Sequence, residues 1–99
     1  MNKKISEITI NDIADYIRLT EISESDKKQL SISLGVAKSF IKGYTGLTEA
    51  EIDKYNEFVI VIYVLCQDMY DNRSLYVDET NINYTVKTIL DMYSTKLLG

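Results

Sequence analysis

A chain of 99 residues with 15 acidic and 11 basic side chains, no histidine, no proline and one cysteine has room for a single modest core and no deep substrate cleft besides. The net charge of −4 opposes general attraction to duplex DNA or an anionic bilayer, and the lone Cys66 excludes an internal disulfide. The missing imidazole removes the commonest general base and the commonest transition-metal ligand.

With no proline and four glycines, helices are the natural building material. The expected fold class is all-α: one domain over residues 1–99, a small bundle of four helices with a long third helix at its centre. The first helix begins at Thr9, whose hydroxyl can cap free amides, with Asp12 three residues on near the positive helix end. Ile10, Ile13, Ala14 and Ile17 form its inward stripe, which fades near Leu19. The second helix starts at Ser23 or Ser25 and runs to about Lys42, with Leu30, Leu34, Ala37, Ile41 and Tyr44 on one stripe. The turn "GYTG", Gly43 to Gly46, ends it.

The third start combines a capping box, Thr48 with Glu51, and a hydrophobic staple, Leu47 with Ile52. From Ile52 the residues Tyr55, Val59, Ile62, Cys66, Met69 and Arg73 recur at alternating steps of three and four, which predicts one continuous helix ending at "YDNR". β-branched residues also suit a buried strand, but the upstream cap and the length favour helix. Ile60, Val61 and Val64 lie on the opposite side, where polar residues are expected. A helix apolar on two sides is either sandwiched inside its own domain or shared with another subunit. Ile60, Val61, Val64 and the following Arg73 are therefore the candidate subunit interface. "DNRSLYVDET" reads as a loop, and a fourth helix from Asp78 or Thr80 buries Ile82, Val86, Ile89, Leu90, Tyr93 and Leu97.

Chemistry is sparse in this pattern. Cys66 sits within the apolar run from Phe58 to Cys66 without an activating histidine, so it reads as a core thiol. The carboxylate pairs Asp12 with Asp15 and Asp68 with Asp71 offer too few oxygens for a metal site, and "GYTG" lacks the lysine of a phosphate loop. No catalytic residue, metal or cofactor is expected. Lys27, Lys38 and Lys42 run along one side of the second helix as a weak basic rail. Lys3 and Lys4 mimic the start of a secretion signal, but Glu7, Asn11 and Asp12 interrupt the apolar segment it needs, and the apolar run is far shorter than the roughly 20 residues of a bilayer span. The expectation is a chain neither exported nor membrane-spanning.

Four motifs in order, "TINDIADYIRL", "AKSFIKGYTG", "YDNRS" and "ILDMYS", resemble the head-tail connector, or head-completion adaptor, family of tailed bacteriophages and prophages. The resemblance covers essentially the whole chain. It implies a small helical structural protein, not an enzyme, made in the host bacterial cytoplasm and carried in the virion or phage-like particle. It also implies a homo-oligomeric ring at the DNA-packaging vertex, with the portal and tail-completion proteins as partners. Passive contact with packaged DNA is implied, with no membrane and no small-molecule substrate. The alternative function is a small helical DNA-binding or regulatory module, which the acidic balance and the lack of a helix clustering Arg, Lys, Asn and Gln disfavour.

Overall fold

The computed structural model describes residues 4–94, and among them the chain is all-helical without strands. Five α-helices follow a short 3-10 turn at Ile5–Glu7: α1 (Ile10–Ile17), α2 (Glu24–Thr45), α3 (Glu49–Ile52), α4 (Glu57–Asp71) and α5 (Tyr84–Tyr93), with a second 3-10 turn at Glu79–Asn81 before α5.

Three helix starts use the same reciprocal cap. The Thr9 hydroxyl accepts from the Asp12 amide at 3.2 Å while the Asp12 carboxylate accepts from the Thr9 amide at 2.8 Å. Ser23 with Asp26 repeats this at the head of α2, and Thr48 with Glu51 at the head of α3. Each pair satisfies two backbone donors that a helix start leaves free. The stops are equally local. α2 continues through Gly43 to Thr45 and ends only at Gly46, whose φ of 77° suits a residue without Cβ. α1 and α4 end in left-handed residues that are not glycine, Arg18 (φ 69°) and Arg73 (φ 52°). Behind them the Leu19 amide reaches the Ala14 carbonyl and the Ser74 amide the Met69 carbonyl, the long closing bond of a Schellman motif.

The predicted continuous third helix is a break and two helices. Past Ile52 the chain tightens into three-residue hydrogen bonds, Lys54 amide to Glu51 carbonyl and Tyr55 amide to Ile52 carbonyl, before α4 begins at Glu57. At the break the Asp53 carboxylate accepts from both the Ser6 amide (3.2 Å) and the Ser6 hydroxyl (2.8 Å). Asp53 keeps helical backbone angles and its amide still reaches the Glu49 carbonyl, so its side chain ties the end of α3 to the N-terminal turn. The fourth predicted helix also starts later: Asp78 caps the 3-10 turn, and Asn83, accepting from the Thr85 and Val86 amides, caps α5. Leu97, expected on the α5 stripe, lies outside the described residues.

The core gathers on α4, which packs against α1, α2, α5 and the N-terminal turn. Phe58, Val61, Ile62, Cys66 and Met69 from α4 meet Ile13 and Ala14 of α1, Leu30, Ala37 and Ile41 of α2, and Val86 and Leu90 of α5 in one cluster. At roughly 25 cal/mol per Å² of apolar surface removed from water, this cluster is the main cohesive term. Polar ties at the edges set how the helices sit on it.

Candidate functional site

The four residues predicted as a subunit interface separate in the structure. Val61 is fully buried (0% exposed) while its neighbour Ile60 is 53% exposed. Successive helix residues are turned by about 100°, so both cannot share a face, and the packing of α1, α2 and α5 around α4 draws Val61 inward. Val61 is thus a core residue and is removed from the candidate surface. Val64 is half-buried. What remains at this edge is Ile60 and Val64, beside Tyr63, on which the exposed Tyr16 of α1 stacks at 4.9 Å.

Arg73 lies at the far end of α4 and is engaged within its own molecule. Its guanidinium sits 4.5 Å from the centre of the Tyr70 ring, donates to Gln29 Oε1 at 3.3 Å and stands 3.8 Å from Asp26 Oδ1. Tyr70 donates to the same Asp26 oxygen, and Gln29 Nε2 donates to the Met69 carbonyl. The Ser23 amide, ahead of its hydroxyl, Tyr70 and Arg73, holds the Asp26 carboxyl below its usual range. This network ties the end of α4 to the start of α2. It gives the "YDNR" stop its meaning: the left-handed backbone costs Arg73 about 1–2 kcal/mol, and the side chain it projects is anchored on α2.

The basic rail is broken by acids. Lys27 pairs with Glu24 at 3.3 Å and Lys42 with Glu49 at 3.4 Å. Lys38 is half-buried and lines, with Lys42, Ile5, Ile41, Ile52 and Asp53, a small pocket of about 140 Å³ under the N-terminal turn. Two of the three lysines are therefore already partnered, which weakens any phosphate track along α2.

α5 is fastened by tyrosine–carboxylate bonds. Tyr44 of α2 donates to Asp91, which also receives the Lys87 ammonium at 3.1 Å, and Tyr93 donates to Glu57 at the head of α4. The Tyr44 hydroxyl, then Lys87, holds the Asp91 carboxyl down, and the Tyr93 hydroxyl holds Glu57 down. The same bonds push both tyrosine pKa values up. Tyr93 also packs between Tyr55 and Phe58, at 4.5 and 5.1 Å between ring centres.

Cys66 is fully buried, and burial pushes its thiol up to about 12, opposite in sense to the pull of the Lys38 charge. Such a thiol is not a nucleophile at neutral pH. Burial, then the neighbouring Asp71, raises the Asp68 carboxyl, while Asp12 is engaged in its cap. Among the described residues no three His, Cys, Asp or Glu side chains converge as metal ligands, and no helix is long and apolar enough to cross a membrane.

Two apolar surfaces lie where the sequence pattern placed none. One is a trough along the outer face of α2, floored by Ser31, Gly35 and Ser39 and walled by Ile32, Val36, Phe40 and, from the loop after α4, Tyr76 and Val77. The other is the outer ridge of α5, Tyr84, Thr88 and Met92, with Tyr84 83% and Met92 68% exposed. The signal for both is the spacing itself, small residues every fourth position on α2, and Tyr84, Thr88 and Met92 every fourth position beside the α5 core stripe. Compared with known proteins, the chain matches no family model, no curated protein and no solved structure.

Proposed function

We propose that the chain is a structural subunit of a phage or prophage head-tail connector, assembling as a ring at the portal vertex and bridging head and tail. The observation that carries this reading is the ordered motif series along the whole chain. Each motif contributes a distinct piece of the fold. "TINDIADYIRL" supplies the cap and the Schellman stop of α1, "AKSFIKGYTG" the glycine stop of α2, "YDNRS" the Arg73 anchor, and "ILDMYS" the Asp91 and Tyr93 fastenings of α5. In this reading α1, α2, α4 and α5 are the four principal helices of the connector bundle, α4 is its central member, and α3 is the detached first turn of the third. The subunit is made in the host cytoplasm and ends in the particle, against the portal on one side and tail-completion proteins on the other.

A ring subunit must meet its neighbours through two different patches. Exposed apolar residues on separate elements, Ile60 on α4, Ile32 and Tyr76 at the α2 trough, and Tyr84 and Met92 on α5, support that requirement. Electron microscopy of particles from a host carrying the gene, with and without an inactivating deletion, tests the reading. The expected outcome is that particles contain the chain and that the deletion leaves heads and tails unjoined. Joined particles lacking the chain would refute it.

A further inference from the structure

We infer that the outer trough of α2 is the socket for α5 of a second copy of this chain, the ridge Tyr84, Thr88 and Met92 lying along the floor of Ser31, Gly35 and Ser39. This rests on the ring reading and supplies it with a specific contact. Both sets of residues recur at every fourth position over eight residues, a length of about 12 Å, so a ridge of one helix matches a groove of the other in spacing and extent. At the middle of the floor, a Cβ on Gly35 would meet, beyond its own helix backbone, no atom of the described residues within 4 Å. The trough is shallow and open to solvent, with about 780 Å³ of accessible space lying over it.

A molecule's own α5 turns its other face inward, with Val86 and Leu90 fully buried, which leaves Tyr84 and Met92 projecting. Charge orients the pairing. Lys28 flanks Ile32 at the Ser31 end of the trough, where Arg73 is held by Asp26 and Gln29, and the exposed Glu79 lies in the 3-10 turn ahead of the ridge. Laying Tyr84 against the Ser31 end and Met92 against the Ser39 end brings Glu79 toward Lys28. Because socket and ridge are different surfaces, the contact is head to tail and propagates to a closed ring or an open filament.

Two measurements on the isolated full chain test this. In the first, copies carrying Gly35→Cys are mixed with copies carrying Thr88→Cys under mild oxidation, the native Cys66 being buried. The expected product is the mixed disulfide dimer, at least about tenfold over either homodimer and over a control pair of Glu24→Cys with Thr88→Cys. Predominant Gly35→Cys homodimer would place α2 against α2 and overturn the inference, as would cross-linking no better than the control. In the second, Gly35→Leu fills the trough without touching the core; helicity and melting are retained while self-association measured by sedimentation weakens at least about tenfold. Unchanged association, or a wild-type chain that stays monomeric at every accessible concentration, overturns the socket. Neither result depends on particle assembly, so a failed socket and a failed connector reading are told apart by the deletion experiment above.

Discussion

α4 and α2 are the two long helices of the molecule, and they use their apolar residues in opposite ways. α4 is apolar nearly all round and is covered nearly all round: of its residues from Phe58 to Cys66 only Ile60 is exposed and only Val64 half-buried. α2 is far more polar, yet it buries one face with Leu30, Ala37 and Ile41 and leaves Ile32 and Gly35 open on the other. The greasiest segment is therefore the cohesive centre, while the uncovered surface lies on a helix of ordinary composition. Apolar content alone tells how much a segment will bury, and it says little about which face is left over.

The sharpest way to break this contrast is a pair of neighbouring substitutions on α4. Val61→Asp places a carboxylate in a fully covered site and is expected to cost about 4 kcal/mol or more, close to the entire stability of a small domain. Ile60→Asp, one residue earlier and exposed, is expected to stay within about 0.5–1 kcal/mol of wild type. Circular dichroism during urea unfolding decides it; equal losses at the two positions would mean that α4 is not seated as described. The same comparison on α2 is milder. Leu30→Ala opens a cavity at a fully buried position and is expected to cost about 2–5 kcal/mol, whereas Ile32→Ala on the trough wall costs less than about 1 kcal/mol while reducing self-association.

The parts legible in the sequence were those set by neighbours along the chain. Thr9 with Asp12 and Thr48 with Glu51 are pairs three residues apart, and both caps form, while of the two starts read for α2, Ser23 or Ser25, it is Ser23 that caps, with Asp26 as its partner. The stripes Leu30–Ala37–Ile41 and Val86–Leu90 are phased by polar residues between them and point inward as their spacing requires. What was not legible depended on distant partners. A cap announces where a helix starts, not how far it runs, and at the break the Asp53 side chain is engaged by Ser6, 47 residues away. In the run from Phe58 to Cys66 no polar residue fixes the phase, so Ile60 and Val61 look equivalent until α1, α2 and α5 are placed around them. Arg73 was read as part of a subunit interface, and its partners within the molecule, Gln29 and Asp26, belong to a helix whose orientation only the fold supplies.

A smaller effect concerns the covered side of α2. Ser33 is fully buried and its hydroxyl has no hydrogen-bond partner among the described residues, so the group loses its hydration without compensation. Ser33→Ala is expected to raise stability by about 1 kcal/mol, seen as a higher urea midpoint at an unchanged slope. A loss on this substitution would show that the hydroxyl is satisfied in solution by a buried water.

The smallest expected change bears most directly on why α2 keeps an open face. Gly35 is in the interior of a 22-residue helix, and a methyl group there meets, beyond its own helix backbone, none of the described residues within 4 Å. Gly35→Ala is therefore expected to stabilise the monomer by about 0.5–1 kcal/mol, because glycine gives up more backbone freedom than alanine on entering a helix. If only the monomer mattered, alanine would be the better residue. A floor that must admit the side chains of another helix gains from the missing methyl, so the same substitution is expected to weaken self-association while raising the melting temperature. Thermal melts and sedimentation on one variant separate the two quantities, and a gain in both would remove the reason for glycine at this position.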